Sequence, residues 1–116
     1  MVACIMFDRI AGNLEHYMNL LSARQRVVAS NIANADTPGY KTKDVSFRTE
    51  LESAFGATPE TVEVAGLEVK TDGNNVSLDR EARLLAENSL RFNISAQLVR
   101  SQIRVIRSVI QEGRNS

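Results

Sequence analysis

Residues 84–110 read LLAENSLRFNISAQLVRSQIRVIRSVI, and this stretch decides the fold class. Leu85, Ser89, Phe92, Ala96, Val99, Ile103, Ile106 and Ile110 follow one another at alternating steps of four and three. Only a helix brings such positions onto one line, so the spacing predicts a heptad seam sustained over more than three repeats. Leu84, Leu98, Val105 and Val109 broaden that seam beyond what a two-stranded coiled coil covers. Asp79 or Ser77 is suited to cap the start, Glu81 suits the positive end of the helix dipole, and Gly113 is placed to end the helix. The expected helix has about 32 residues, or ~48 Å at about 1.5 Å per residue.

The start of the chain carries a second stripe: Ile10, Leu14, Tyr17, Leu21, Val28, Ile32 and Ala35, with Met18, Leu20 and Ala29 widening it. It predicts a helix of about 26 residues, ~40 Å long. Gly12 weakens its beginning by roughly 1 kcal/mol relative to Ala, and Asn13 is a candidate N-cap. The stripe lacks an apolar residue at Arg24 and Gln25, so either those side chains face a polar partner or the register shifts there. Thr37-Pro38-Gly39-Tyr40 then stops the helix: proline presets φ at the second turn position and glycine accepts φ > 0 at the third, the requirements of a type II turn. Asn31, Asn34 and Asp36, just ahead of it, carry side chains that bond nearby backbone groups at a fraying helix end.

Between the helices, Ser46 to Phe55 predicts a short helix ended by Gly56. Thr61-Val62-Glu63-Val64 and Leu67-Glu68-Val69-Lys70 alternate apolar with polar around Ala65-Gly66, which predicts a small β-hairpin. Asp72-Gly73-Asn74-Asn75 reads as a turn.

Composition excludes several functions. The chain of 116 residues balances 14 basic against 14 acidic side chains, unlike a dedicated nucleic-acid-binding domain. The balance conceals opposed segments: residues 41–80 hold eight acids and five bases, whereas residues 81–116 hold six bases and three acids. One cysteine, Cys4, and one histidine, His16, give neither an internal disulfide nor the usual metal-ligand sets. Cys4 reads as a small packing residue and His16 as an exposed helix residue. The longest apolar run, residues 2–7, is far below the ~18 residues of a membrane span, and it lacks the charged n-region of a secretory signal. Neither G-x-G-x-x-G nor G-x-x-x-x-G-K-[ST] occurs, and with 5% aromatic residues there is little to build a pocket around the acid pairs Glu50/Glu52 and Glu60/Glu63, which read as solvated surface. No catalytic, cofactor or metal residue is expected. Arg100, Arg104 and Arg107 form a basic stripe beside the apolar seam, read as a solvated face or as partners for carboxylates of a neighbouring subunit. Seams too broad for one chain to cover point to a structural or interaction protein that completes its core by association; a soluble helical adaptor docking one partner helix is the second reading.

One segment carries a sharper signal. Ala29-Ser30-Asn31-Ile32-Ala33-Asn34-Ala35-Asp36-Thr37-Pro38-Gly39-Tyr40-Lys41 resembles the signature of flagellar axial proteins. Phe7-Asp8-Arg9, Ser22-Ala23-Arg24-Gln25, Asp72 to Glu81, Leu85-Ala86-Glu87-Asn88 and the closing helix Leu98 to Ile110 narrow the resemblance to the flagellar basal-body rod protein family, of the proximal-rod type. The chain is somewhat short for that family, and Ser77 stands where an acid is common. The resemblance implies a mainly α fold in which the N-terminal helix (residues 1–36) and the C-terminal helix (79–116) pair as an antiparallel coiled-coil hairpin around a small irregular and β-hairpin insert (37–78). It also implies a torque-transmitting subunit at the basal body in the periplasmic space, exported through the flagellar type III apparatus without a cleaved signal. Implied partners are other rod subunits, copies of itself and the rod-to-ring adaptor, with no nucleic acid and no membrane span. Assembly would then rest on Asn31, Asn34, Asp36, Pro38, Gly39 and Tyr40 at the turn, and on Phe92, Val99, Arg100, Ile103, Arg104, Ile106, Arg107 and Ile110 along the closing helix.

Overall fold

A computed structural model describes residues 2–52 and 59–115. The side chains of Cys4, Phe7 and Glu52, and the expected end of the short helix at Phe55 and Gly56, lie outside the described residues. Helix α1 runs Val2–Ala33, strand β1 Lys43–Val45, helix α2 Phe47–Glu52, strand β2 Thr61–Glu63 and helix α3 Leu78–Asn115. The long helices lie antiparallel, since Asn31 meets Glu81 while Tyr17 meets Arg91 further along α3. The molecule measures 72 × 25 × 17 Å, the shape of a helical hairpin. The mainly α hairpin with a small insert is therefore the fold observed, and no helix among the described residues is long and apolar enough to cross a membrane.

Both helices are longer than expected, at 32 and 38 residues. Helix α1 continues through Gly12 and Asn13, so Asn13 is not its cap. Helix α3 continues through Gly113 to Asn115. One glycine costs a long helix only about 1 kcal/mol, and with no proline beside it nothing forces a stop. The C-terminal end of α1 does break where expected. Gly39 has φ 74° and the Tyr40 amide donates to the Thr37 carbonyl at 3.2 Å, closing the turn around Pro38. At the start of α3 the Arg80 amide donates to Ser77 Oγ at 3.4 Å, which makes Ser77 the cap.

The expected β-hairpin is corrected. Strand β2 pairs antiparallel with β1, Asp44 opposite Val62, and residues 67–70 form no strand. Ala65-Gly66 explains the difference: a two-residue type I′ loop needs positive φ at both positions, and only Gly66 supplies it. The ladder extends instead through the Val64 amide to the Thr42 carbonyl and the Ser46 amide to the Glu60 carbonyl.

The interior is thin. Leu20, Ala23 and Val45 form its centre, with Val27 and Phe47 packed against it. The Tyr17 ring meets Phe47 edge-on at 5.6 Å, which fixes the insert on one flank of α1. Toward α3, Leu21 and Val28 are buried, each contributing about 1.5–3 kcal/mol by leaving water. The line that α3 buries against α1 is Glu81, Leu84, Asn88 and Ser95, beside the expected apolar seam and not on it. Phe92 and Val99 flank that line, and every residue from Ile103 to Asn115 is exposed. Polar groups that need partners thus take most of the contact line beside Leu84, and the apolar line faces outward at its edge.

Leu21→Ala is expected to lower stability by about 2–5 kcal/mol in urea unfolding followed by circular dichroism. Ile106→Ala, on the exposed part of α3, is expected to stay within about 0.5 kcal/mol of the parent. Equal losses in the two variants would contradict the burial pattern.

Candidate functional site

Asn31 sits on the last full turn of α1 with no exposed surface. Its Nδ2 donates to the Lys43 carbonyl at 2.7 Å and to Glu81 Oε2 at 3.2 Å. Its Oδ1 accepts from the Tyr40 hydroxyl at 3.0 Å and from the Lys43 amide at 3.2 Å. Both donors and both acceptor positions of the amide are thus used. One side chain ties α1 to the turn, to β1 and to the first turn of α3.

A second tie joins two loops. The Gly39 amide donates to the Asp72 carbonyl at 2.9 Å and Lys41 Nζ to the Gly73 carbonyl at 2.7 Å. A Cβ built on Gly73, whose φ is 85°, would lie 3.4 Å from Gly39 Cα, so the two turns touch at their glycines. Asn74, fully buried, donates from Nδ2 to the Asn34 and Thr37 carbonyls, each at 2.8 Å, and accepts the Val76 amide at 2.8 Å. Helix C-termini leave carbonyls without partners. Here the second turn supplies the donors. Buried Thr42 completes the seam, its amide donating to Asn75 Oδ1 at 2.6 Å and its hydroxyl to the Asn75 carbonyl at 3.1 Å.

A charged chain runs beside these ties. Arg24 grips Asp44 with two bonds, Nε to Oδ1 at 3.1 Å and Nη2 to Oδ2 at 3.0 Å. Arg80 reaches the same Asp44 oxygen at 3.1 Å and Glu81 Oε1 at 2.7 Å. The gap in the α1 stripe is therefore a polar contact and not a register shift: Arg24 faces Asp44, and Gln25 Oε1 accepts from Asn88 Nδ2 at 2.9 Å. Asn88 also donates to the Leu21 carbonyl at 2.8 Å, while its Oδ1 is buried without a partner. On the open side, Arg91 donates to the Tyr17 hydroxyl at 3.2 Å and to Glu87, and the Tyr17 contact, ahead of Glu87, pushes the guanidinium pKa up.

Two sequence expectations change at single residues. His16 is half-buried, with Nε2 2.8 Å from the Glu50 carbonyl oxygen. Glu50 is buried, and its Oε1 accepts the Glu60 amide at 3.0 Å, so it holds the insert together and is not solvated surface; Glu60 and Glu63 are exposed.

The expected assembly residues divide into two places. Asn31, Asn34, Asp36, Pro38, Gly39 and Tyr40 gather at the closed end of the hairpin, with Asp36, Pro38 and Gly39 on the surface and Asn31 inside. Tyr40 bonds Asn31 of its own chain. Arg100, Ile103, Arg104, Ile106, Arg107 and Ile110 lie exposed along the far part of α3, with Phe92 and Val99 beside a groove shared with Met18 and Ser22. Sequence reasoning missed Glu81, Asn88, Asn74, Asn75, Thr42 and Asp44 as ties. One signal was present: Glu81, Asn88, Ser95 and Gln102 recur at steps of seven, a polar heptad beside the apolar one.

A hairpin closed by polar ties, with aliphatic surface left along its arms, defines a helical structural subunit. The comparisons with known proteins agree. The family model described as Flagella basal body rod protein matches residues 18–41, the end of α1 and the turn. The flagellar basal body rod protein FlgB of Escherichia coli (strain K12) is 33% identical over 137 aligned positions, spanning 93% of this chain and 99% of the relative. FlgB of Yersinia enterocolitica is 31% identical over 93% of this chain and 100% of the relative, and FlgB of Salmonella typhimurium 30% over 93% and 99%. The chain belongs to the FlgB family of flagellar basal body rod proteins.

Asn31→Ala strips partners from Glu81, Tyr40 and both backbone groups of Lys43, and is expected to cost about 3 kcal/mol. Asn31→Asp places a second carboxylate against Glu81. Like charge raises the folded-state pKa of the pair, so this variant should gain stability as pH falls toward about 5. An Asn31→Asp chain that loses stability over that range, in thermal unfolding at stepped pH, would contradict the geometry.

Proposed function

We propose that the chain is a structural subunit of the proximal basal-body rod. In this reading it packs against copies of itself, other rod subunits and the adaptor linking rod to ring, and reaches the periplasmic space through the flagellar type III export apparatus. The observation that carries the reading is family membership across nearly the whole chain, joined to a hairpin whose aliphatic arms lack cover. Ile94, Leu98, Ile103, Val105, Val109 and Ile110 are each between 45% and 62% exposed. Such a surface in a small protein marks a contact site.

The two clusters of expected assembly residues then take different roles. Those at the turn set the shape of the closed end, where Gly39 holds positive φ and Asn31 fixes the angle between the arms. Those on α3 supply contact area. Close-packed side chains resist shear because interiors have few voids and low compressibility, which suits a part that transmits torque. A narrow hairpin without a disulfide also suits passage through an export channel, since its lone cysteine cannot cross-link it internally.

Basal bodies from a strain lacking this chain are expected, by electron microscopy, to show rings without rods. Gly39→Val, which forces a β-branched side chain to φ 74°, is expected to leave that defect in place. Complete rods in the deletion strain would overturn the function, and full motility with Gly39→Val would overturn the role of the turn.

A further inference from the structure

We infer that the far end of α3, residues 103–110, seats in a groove at the closed end of a second copy of this chain, so that subunits join head to tail. The inference rests on the rod reading and names a contact within it. The groove, of about 490 Å³, lies between the loop at 66–70 and the start of α3. Leu67, Val69, Val76 and Leu78 give it an apolar floor, and Val69 and Leu78 are each 55% exposed. Glu68 and Asp79 put two carboxylates on its wall. The cation in the groove, Lys70, is turned toward the Ala35 carbonyl at 3.4 Å.

The far end of α3 has the complementary character. Ile103, Ile106 and Ile110 lie on one exposed line, and Arg104 and Arg107 lie on one side of it. An aliphatic stripe with a basic edge matches an aliphatic floor with an acidic wall, and arginine pairs carboxylates with two parallel bonds. Arg104 and Arg107 lie far along α3 from Glu68 and Asp79, on a body 72 Å long, so one chain cannot pair these groups with each other. From Leu78 to Ile106 the helix rises about 42 Å, beyond any intramolecular reach. Two different surfaces that meet head to tail generate a ring or an open helical filament, not a closed dimer.

The test uses two single-cysteine forms of the full chain, both with Cys4→Ala, one with Val69→Cys and one with Ile106→Cys. They are purified, mixed at high concentration and oxidised. A disulfide-linked dimer of the two forms is expected. Adding Arg104→Glu and Arg107→Glu to the second form should cut its yield about tenfold or more through like-charge contact, and Glu68→Arg in the first should restore it. No mixed dimer from chains that are helical by circular dichroism overturns the proposal, as does linkage of Ile106→Cys chains to one another alone. The rod reading is judged separately, by the rings without rods expected of the deletion strain. Rods lost on deletion with no mixed dimer would leave the subunit in the rod and remove only this contact.

Discussion

A buried amide on a helix has to find four partners or cost the fold several kcal/mol. Asn31 meets that demand only when three separate pieces of chain arrive together: the Tyr40 hydroxyl from the turn, the backbone of Lys43 from β1, and the Glu81 carboxylate from α3. Each partner fixes a different degree of freedom. Tyr40 sets the direction in which the chain leaves α1, Lys43 holds the strand back along the helix, and Glu81 brings α3 alongside. Glu81 itself is fully buried, and its second oxygen is held by Arg80, which in turn shares Asp44 with Arg24. The closed end of the hairpin is thus one connected polar system, and a connected system fails as a unit when one member is removed.

Polar ties also explain why the hairpin has one register. The α3 line against α1 repeats Glu81, Asn88 and Ser95 at steps of seven, and Asn88 spends both amide hydrogens on the Leu21 carbonyl and Gln25. An aliphatic seam tolerates a slip of one heptad; this line does not, because Glu81 would lose Asn31 and Asn88 would lose the Leu21 carbonyl and Gln25. Stability is given up for this definition, as the unpartnered Asn88 Oδ1 illustrates. The apolar line beside it, Phe92, Ile103, Ile106 and Ile110, stays exposed.

These facts mark how far the sequence could be read. The two long helices and the turn at Pro38-Gly39 were legible because each follows from local chemistry: spacing for the helices, φ for the turn. The contact line on α3 was not, since periodicity shows which residues share a line but not which of two neighbouring lines meets the partner helix. Strand pairing was misread for a related reason. Val62 alternates correctly with its neighbours, yet its partner Asp44 lies in a segment without strand-like patterning, placed there by Asn31 and Thr42. At the candidate site, Asn31, Asn34 and Gly39 stood out as helix-end and turn residues. Asn74 and Asn75 read only as a turn, because nothing local shows that their amides reach across to another turn.

The distribution of ties along the molecule has a mechanical consequence. Hydrogen bonds between the arms concentrate from Asn31 and Glu81 to Tyr17 and Arg91, and beyond Ile103 the surface of α3 is exposed throughout. Local opening free energy follows buried contacts, so it is highest at the closed end and falls toward the arm tips. The closed end therefore holds its shape in a single chain, while the tips have little packing of their own. In the proposed rod this division suits both demands on the subunit. A body tied at one end by short polar bonds keeps its geometry under load, and arms that become close-packed only in the assembly place the stiffest contacts between subunits, where torque has to cross.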